Sequence, residues 1–391
     1  MAQTFDAIII GAGIMGCSTA FQLAKRGVKV AVFEKGYYGN GSTGRSSAII
    51  RQHYSNELTA RMALHSLRVF ENFDDSVGGE SGFTKTGFIA LASAKDKAGL
   101  EANVAMQKSV GIRTDLISAD ELHRLMPDLS QHDLVEAAYE PDGGYADPNL
   151  TVASFANAAK RHGATFFLDT EVTGVHFTGD RVTGVSTRTD TFDAPIVLNA
   201  AGPWGARVAK MAGIEVPINS CRVQVTFFRR PPEHAAPHPV VVDFVNATYF
   251  RSETGELTLA GLIDPEEANA VVDPDNFNEQ LDPDFVLEIG EQIVPRYPVI
   301  ERSHSAGGYA GLYAVTPDWH PLVDELIPGS GFFISAGFSG HGFKLGPAGG
   351  LMIADMLTGV SEPEFDPKLF RLNRYAENDP VTGQYEYSIA G

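Results

Sequence analysis

The sequence predicts an α/β fold in which a Rossmann-like dinucleotide-binding unit is joined to a second domain built on an antiparallel sheet. A strand, a glycine-rich turn, a helix and a second strand follow one another within residues 6–40. Apolar and polar residues alternate over much of 216–261, which is typical of antiparallel strands with one solvated face. The chain has 391 residues, more than one ordinary core organises, so two domains are expected.

The first element is the apolar run Ala7–Ile10, which predicts a buried parallel strand. In the turn after it, Gly11 permits the sharp bend and Gly13 lets the backbone approach a pyrophosphate. Gly16 allows the following helix to pack closely on the strand, and the free N–H groups of that helix face the phosphates. Glu34 ends the second strand, eighteen residues after Gly16, where it can accept hydrogen bonds from a ribose diol.

Charge and cysteine content exclude several classes of function. Thirty basic against forty-nine acidic side chains give a net charge of −19, which repels nucleic acid and anionic membranes. The two cysteines, Cys17 and Cys221, form neither a disulfide framework nor a metal-binding set. The sequence has no apolar run of about eighteen residues, and no basic region precedes its first apolar stretch. We therefore expect a cytoplasmic protein without a membrane span.

The glycine fingerprint alone does not separate FAD from NAD. A disulfide reductase of the pyridine-nucleotide type would carry a second fingerprint in mid-chain, and this sequence has none. Its glycines cluster again over Gly329–Gly350, near the C-terminus. Because FAD is long, several distant segments must converge on it, so the second cluster favours FAD.

The loop after Glu34 runs from Lys35 to Ser47 and is rich in glycine and hydroxyl side chains. It leaves the carboxyl end of a parallel strand, where ligands bind in such sheets, although a flexible surface linker has the same composition. Arg51 follows two isoleucines that are expected to be buried. Its guanidinium suits a carboxylate ligand, but a structural ion pair explains this stretch equally well.

Hydrophobic period and turn residues predict the remaining elements in order. Asn149 or Thr151 is expected to cap the helix that ends at Arg161, and the segment 264–284 is expected to be an exposed loop. The alternating strands place Tyr249 and Phe250 as possible roof residues of a pocket. Helices are predicted over 55–73, 96–111 and 119–126, strands over 87–92, 164–168 and 195–201, and a hairpin over 171–188.

The last informative segment is a strand that begins at Phe332 and enters a second glycine-rich turn. A helix is predicted over Pro347–Leu357, with proline at its first position. Its N-terminus, aimed at a flavin, would stabilise the negative charge that accumulates on reduction. Lys344 lies in the turn among glycines and aromatics, where a ligand-binding role competes with ordinary solvation. Little order is expected after Pro380.

Four motifs together resemble the D-amino-acid oxidase superfamily of FAD enzymes, and most of all the sarcosine oxidase branch with its beta-subunit type. They are Gly11–Gly16 with Glu34, Gly41–Arg51, Asn199–Trp204 and Ala336–Lys344. The resemblance implies a discontinuous Rossmann-like FAD-binding domain with a second α+β substrate domain. The domains expected are 1–80, 145–215 and 325–378 for FAD, 81–144 and 216–324 for substrate, and a tail over 379–391.

The resemblance also implies roles for individual residues. Arg51 and Lys344 match the pair that holds the substrate carboxylate, and with Tyr249 they are the predicted catalytic residues. Gly311 stands where monomeric relatives carry a flavin-linking cysteine, so non-covalent FAD is expected. The full set of predicted cofactor-binding residues is Gly11, Gly13, Ile14, Met15, Gly16, Glu34, Lys35, Ser42, Thr43, Arg45, Ser46, Ser47, Val172, Ala201, Gly202, Trp204, Gly311, Phe338, Gly340, His341, Gly342, Phe343 and Lys344.

The function expected is oxidation of the C–N bond of a small secondary or primary amino acid by hydride transfer to flavin N5, followed by imine hydrolysis. The segment 256–261 lacks the oxygen-activating lysine of the oxidases, so electrons pass either to oxygen or to an electron-transfer partner. One alternative is a 2-hydroxy-acid dehydrogenase with His53 or His341 as base. Others are a flavin subunit active only with a heteromeric partner, and a pure electron-transfer protein.

Overall fold

The computed structural model describes residues 3–263 and 270–383. Two large sheets organise the chain, and helices cover the first of them. The α-helices are α1 (Ile14–Lys25), α2 (Glu57–Glu71), α3 (Phe73–Ser76), α4 (Lys97–Ser109), α5 (Ala119–Leu125), α6 (Pro148–Arg161), α7 (Gly205–Met211), α8 (Pro283–Ile293) and α9 (Gly342–Thr358).

The strands are short in the first sheet and longer in the second. In chain order they are β1 (Gln3–Thr4), β2 (Ala7–Ile10), β3 (Val30–Phe33), β4 (Ile49–Ile50), β5 (Thr84–Lys85), β6 (Phe88–Ala92), β7 (Asp115–Ile117), β8 (Glu136–Glu140), β9 (Gly144–Tyr145), β10 (Thr165–Phe167), β11 (Val172–Thr178), β12 (Arg181–Thr187), β13 (Thr191–Asp193), β14 (Val197–Asn199), β15 (Asn219–Arg229), β16 (Val240–Asp243), β17 (Thr248–Glu253), β18 (Leu257–Leu262), β19 (His304–Val315), β20 (Leu322–Glu325) and β21 (Phe332–Ala336).

The first sheet has the strand order β10-β3-β2-β14-β21-β20. All neighbours run parallel except β20, which is antiparallel to β21 at the edge. Every residue of β2, β3, β14 and β21 is buried, as expected for strands covered on both faces. After β3 and β10 on one side of β2, the chain crosses to β14 on the other side, and ligands bind at the carboxyl ends of strands beside such a reversal.

Helix α9 packs directly against α1, and small residues allow the close approach. A Cβ on Gly346 would lie 2.3 Å from Cγ1 of Ile14, and one on Gly350 would lie 2.1 Å from Oγ of Ser18. Part of the second glycine cluster therefore serves helix packing and does not line a turn.

The predicted start of this last helix was wrong. Helix α9 begins at Gly342, so Pro347 lies inside it and Lys344 occupies its first turn. Proline has no N–H for the helical ladder, and the next amide, that of Ala348, donates to Oγ of Ser66 at 3.1 Å. This contact comes from α2, and sequence pattern gives no sign of it.

The second sheet has the order β19-β15-β18-β17-β16-β6-β8-β7. Its strands come from residues 88–140 and 219–315, and the segment 145–215, which sequence analysis assigned to the FAD domain, lies between them in sequence. The parallel pair β16–β6 joins the two groups, with Val241 opposite Ile89. The domain boundaries given from the sequence stay a prediction.

Most predicted helices, strands and the 171–188 hairpin are present, with ends shifted by a few residues. The predicted cap of α6 was wrong, because Asp147 accepts hydrogen bonds from the N–H groups of Asn149 and Leu150. Of the expected loop 264–284, residues 264–269 lie outside the described residues, and so does 384–391 of the tail. Within the residues described, no helix is both long and apolar enough to cross a membrane.

Candidate active site

A long channel runs along the carboxyl ends of the first sheet and encloses about 1640 Å³ of empty space, including its open mouth. Residues from each of the four sequence motifs line it. Of the predicted cofactor-binding residues, those on its wall are Gly11, Gly13, Ile14, Met15, Glu34, Lys35, Ser42, Thr43, Arg45, Ser46, Ser47, Val172, Ala201, Gly202, Trp204, Gly311, Phe338, Gly340, Gly342 and Phe343. The structure places Gly16 behind the wall, and His341 and Lys344 on an adjoining cavity.

The glycine turn leaves no room for side chains where it meets the neighbouring strand. Gly11 has φ +109°, and a Cβ there would lie 2.6 Å from the carbonyl oxygen of Ala200. A Cβ on Gly16 would lie 2.0 Å from the carbonyl oxygen of Gly11. The turn is fastened to the next loop by Thr43, whose Oγ1 accepts a hydrogen bond from the N–H of Ile14 at 3.1 Å. These contacts hold the N-terminus of α1 against the channel.

Glu34 lies on the channel wall at the end of β3. Its Oε2 accepts from the N–H of Ala12 and its Oε1 from the N–H of Gly36, both at 2.9 Å. Each carboxylate oxygen retains acceptor capacity after one such bond. Binding of a ribose diol by Glu34 therefore stays a prediction that this geometry permits.

Several features of the channel wall are suited to binding a dinucleotide. Oγ of Ser335 is buried on that wall without a hydrogen-bond partner in the described structure. The first turn of α1 contains no acidic residue, so the positive end of the helix can still attract an anionic group in the channel. A glycine cradle, an unsatisfied hydroxyl and a helix N-terminus together suit a phosphate-bearing ligand.

Changing Gly16 to Ala is expected to lower the free energy of unfolding by about 1–3 kcal/mol, because the added Cβ overpacks the contact with Gly11. The shift of α1 is also expected to weaken retention of FAD. Urea unfolding and flavin absorbance after gel filtration measure the two effects.

The matched control is Gly290→Ala in α8, where an added Cβ meets no atom within 4 Å. This change is expected to stabilise by up to about 1 kcal/mol and to leave FAD content unchanged. Equal behaviour of the two variants would contradict the role given to Gly16.

A segment that sequence analysis treated as an exposed loop contributes Asp275 to the wall of the channel. Nε1 of Trp204 donates to Oδ1 of Asp275 at 2.7 Å, and Nζ of Lys35 lies 3.9 Å from the Trp204 ring centroid. Asp275 forms ion pairs with Lys35 and Arg207. Opposite charges on Asp275, Lys35 and Arg207 were the one sign of these ion pairs in the sequence. The sequence alone does not show which acidic residue pairs with which basic residue.

A second cavity adjoins the channel and encloses about 550 Å³ of empty space. Ser47, Tyr249, Tyr313 and Gly340 line both spaces. The remaining wall combines apolar and polar residues. Its apolar residues are Ile49, Phe88, Val242, Phe244 and Ile263, and its polar residues are Arg51, His53, His341 and Lys344.

Arg51 and Lys344 place two buried positive charges on this cavity, with exposed fractions of 7% and 8%. Arg51 follows β4, its Nη1 donates to the carbonyl oxygen of His53, and its guanidinium lies 4.4 Å from the Tyr54 ring centroid. In the part of the chain that the structure describes, neither cation has a carboxylate oxygen within ion-pair distance. The alternative of a structural ion pair for Arg51 is therefore not what the structure shows.

Electrostatics at the cavity favour the binding of an anion. Burial, and then the charge of Arg51, hold the pKa of Lys344 well below its usual value. A buried cation is costly unless it is paired, and a carboxylate placed between the two would supply the opposite charge. The arrangement suits a small molecule with a carboxylate at one end and an apolar body at the other.

Comparisons with known proteins show which family the chain belongs to. The family model described as "FAD dependent oxidoreductase" (DAO) matches residues 6–356. Human mitochondrial sarcosine dehydrogenase is 28% identical, and the match covers 96% of this chain and 42% of the human protein, so the chain spans less than half of that relative. The sarcosine oxidase subunit beta of Rhodobacter capsulatus is 26% identical, with coverage of 97% and 92%. The crystal structure of L-proline dehydrogenase from P. horikoshii superposes with a TM-score of 0.89 at 27% identity, covering 97% of this chain and all of that one.

Proposed function

The chain belongs to the DAO family of FAD-dependent oxidoreductases, and we propose that it oxidises the C–N bond of a small amino acid whose carboxylate is bound by Arg51 and Lys344. Relatives that carry the names of amino acid oxidases or dehydrogenases support this substrate class. The preferred substrate is a small secondary or primary amino acid of the sarcosine or proline kind.

The single observation that carries the proposal is the pair of buried cations without a carboxylate partner in the described chain. They stand on a cavity that shares four wall residues with the channel. A carboxylate held there leaves the rest of the ligand facing Phe88, Val242 and Ile263, which are apolar. Such a wall accepts a methyl group or an aliphatic ring and gives no hydrogen bond to a polar side chain.

Bound FAD supplies the hydride acceptor, and the protein supplies binding, orientation and the exclusion of water. Arg51 and Lys344 hold the carboxylate, which limits the positions open to the neighbouring C–N bond. Tyr249 lies on the walls of both spaces and is 7% exposed, so it forms part of the boundary between the cavity and the channel. Oxidation of the C–N bond gives an imine, which water hydrolyses.

Oxidation of a 2-hydroxy acid is the second candidate, because His53 lies on the same cavity and is available as a base. Burial, and then the charge of Arg51, lower the pKa of His53 to about 3. So weak a base does not retain a proton taken from a hydroxyl group, so His53 is poorly suited to be the final acceptor in oxidation of an alcohol. The electrostatics at His53 therefore favour the amino acid.

The proposed function is tested by mixing the purified flavoprotein anaerobically with sarcosine, L-proline, glycine and L-lactate while the flavin absorbance is followed. We expect bleaching by at least one of the amino acids and none by lactate. Chemical reduction with dithionite serves as the control for intact flavin. Bleaching by lactate alone, or by none of the compounds, would overturn the proposal.

A heteromeric complex is supported by the likeness to the Rhodobacter capsulatus subunit. If the chain works as such a subunit, turnover with an electron acceptor requires the partner, whereas flavin bleaching by substrate does not. Comparing the two assays for the isolated chain, with oxygen and with an artificial acceptor, distinguishes an independent enzyme from a subunit.

A further inference from the structure

We propose that Glu140 accepts the proton that an amino acid loses from its ammonium group in the cavity, and that this proton crosses the ring of His53. The inference rests on the proposed function. It concerns a buried carboxylate that lies outside the cavity wall and that sequence reasoning did not single out.

The geometry links the cavity to Glu140 through one side chain. His53 lies on the cavity wall, and its Nδ1 is 3.8 Å from Oε1 of Glu140. Both side chains are only 1% exposed. The other oxygen, Oε2, accepts a hydrogen bond from the N–H of Gln52 at 2.8 Å, which holds the carboxylate beside the segment that carries Arg51 and His53.

The surroundings of Glu140 contain polar atoms without partners in the described structure. Oε1 of Glu140 itself is one of them, and so are both side-chain polar atoms of Gln52 and the hydroxyl of Tyr54. Helix α4 adds Oε1 of Gln107, whose Nε2 lies 3.3 Å from Nδ1 of His53. Buried polar atoms gathered in one place are the usual setting for internal water, which can complete a proton path.

A cationic substrate is disfavoured in this cavity because Arg51 and Lys344 are already there. An amino acid is a zwitterion near neutral pH, and its ammonium group has no lone pair to assist departure of a hydride from the neighbouring carbon. Repulsion from the two buried cations favours loss of the ammonium proton on binding. A nearby carboxylate that is ionised at the working pH can therefore accept the ammonium proton of the substrate.

Glu140 has the ionisation behaviour that this task needs. Burial raises its pKa to about 7, opposed by the Gln52 amide and by the charge of Arg51. Its carboxylate is consequently ionised above neutral pH and takes up a proton readily. The other charged or titratable groups that face the network are Tyr54 and His53 after β4, His341 just before α9, Lys344 in the first turn of α9, and Asp142 beyond β8.

The step conserves one proton. The N–H⁺ bond of the substrate breaks and a ring nitrogen of His53 takes that proton. The relay uses the His53 tautomer that carries hydrogen on Nδ1, with the Gln107 side-chain amide turned so that its Oε1, which has no partner in the described structure, faces that nitrogen. The proton on Nδ1 moves to Oε1 of Glu140 once the 3.8 Å separation shortens, so His53 stays neutral while the carboxylate becomes a carboxylic acid. The substrate leaves the step as a neutral amine, and no electrons are transferred.

The test compares the wild type with Glu140→Gln, in which the amide oxygen still accepts from the N–H of Gln52. Anaerobic flavin reduction by the amino acid that bleaches the wild type is measured from pH 6 to pH 10. Wild-type rates at low substrate concentration are expected to level off above about pH 7, where Glu140 is ionised. The variant depends on free amine from solution, so its rate rises about tenfold per pH unit, because one pKa unit is a tenfold change in population. We expect a loss of about 30- to 100-fold at pH 7.5 that nearly disappears at pH 10.

A second readout does not depend on flavin chemistry. Binding of 2-aminoisobutyrate, which has no hydrogen on the carbon next to nitrogen, is followed at pH 8 with a pH-indicator dye in weak buffer. The wild type retains the proton on Glu140, whereas Glu140→Gln is expected to release close to one proton for each molecule bound. If the flavin spectrum shows no binding of this probe, the pH profile decides.

Two further variants define the outcome. Glu136→Gln, at the other end of β8, changes an acid that pairs with Lys97 and is expected to keep the wild-type profile. His53→Gln is expected to reproduce the pH-dependent loss of Glu140→Gln. A loss that is equal at every pH, or an unchanged profile, would overturn the inference. A wild type that no amino acid reduces would instead overturn the proposed function.

Discussion

Lys344→Met is expected to raise KM for amino acid substrates by about 100-fold or more while FAD stays bound. The estimate corresponds to about 3 kcal/mol for a buried charge-assisted contact with the carboxylate. Met has nearly the volume of Lys and keeps the apolar stem against its neighbours, so the packing of α9 is preserved. Lys344 does not line the channel, which is why FAD content is not expected to fall.

The most specific measurement compares each amino acid with its methyl ester. The ester lacks the negative charge, so the variant is expected to lose catalytic efficiency toward the acid and little toward the ester. Lys108→Met, on the exposed face of α4 with a surface ion pair to Asp115, is the matched control. Equal losses with acid and ester, or an unchanged KM for the acid, would refute the assignment of Lys344 to the carboxylate.

The nucleotide-binding part of the fold could be predicted because its determinants are local. The run from Ala7 to Glu34 contains the strand, the turn, the helix and the second strand in one continuous stretch, and each has its own residue pattern. Arg51 and Lys344 are far apart in sequence, and only the family resemblance connected them. The structure then brought both to one cavity.

The features that escaped prediction depend on contacts between distant segments. Asp275 accepts hydrogen bonds from Lys35 and Trp204, which lie more than seventy residues away in sequence. Hydrophobic periodicity does not predict such a contact. Sequence analysis did not single out Glu140, because its burial depends on how β8 meets the segment after β4. The start of α9 was missed because proline is favoured at the first helical position, whereas here Pro347 is accommodated inside the helix.

Asp318→Asn is expected to lower the free energy of unfolding at pH 7 by about 3–5 kcal/mol, the usual cost of breaking a buried ion pair from one side. The Arg374 guanidinium is fully buried, and its Nε and Nη2 donate to the two carboxylate oxygens of Asp318 at 2.8 and 2.9 Å. Oδ2 also accepts from the N–H of Val381 at 3.0 Å. An amide side chain leaves the guanidinium without its counter-charge and turns one acceptor into a donor.

The ion pair between Asp318 and Arg374 is also expected to make the stability of the protein depend on pH in acid. Burial raises the pKa of Asp318, but the hydrogen bonds and charge of Arg374 outweigh it and lower the pKa from 3.8 to about 2. Because the folded-state pKa is below the unfolded value, the stabilisation is complete above about pH 4 and is lost as the pH falls toward 2. Between these values the wild type is expected to lose stability more steeply than Asp318→Asn. Urea unfolding at a series of pH values measures the difference.

The C-terminal segment is expected to matter for the active site through this pair. Nη2 of Arg374 also donates to the carbonyl oxygen of His320 at 3.0 Å, and the His320 ring lies 6.4 Å from that of His341 on the substrate cavity. Asp318→Asn should therefore weaken substrate binding as well as the fold. Asp379→Asn, which alters only the exposed pair with Arg371, is the control and should cost at most about 1 kcal/mol. If both variants unfold alike, Arg374 is held by its remaining carbonyl partners and the ion pair adds little.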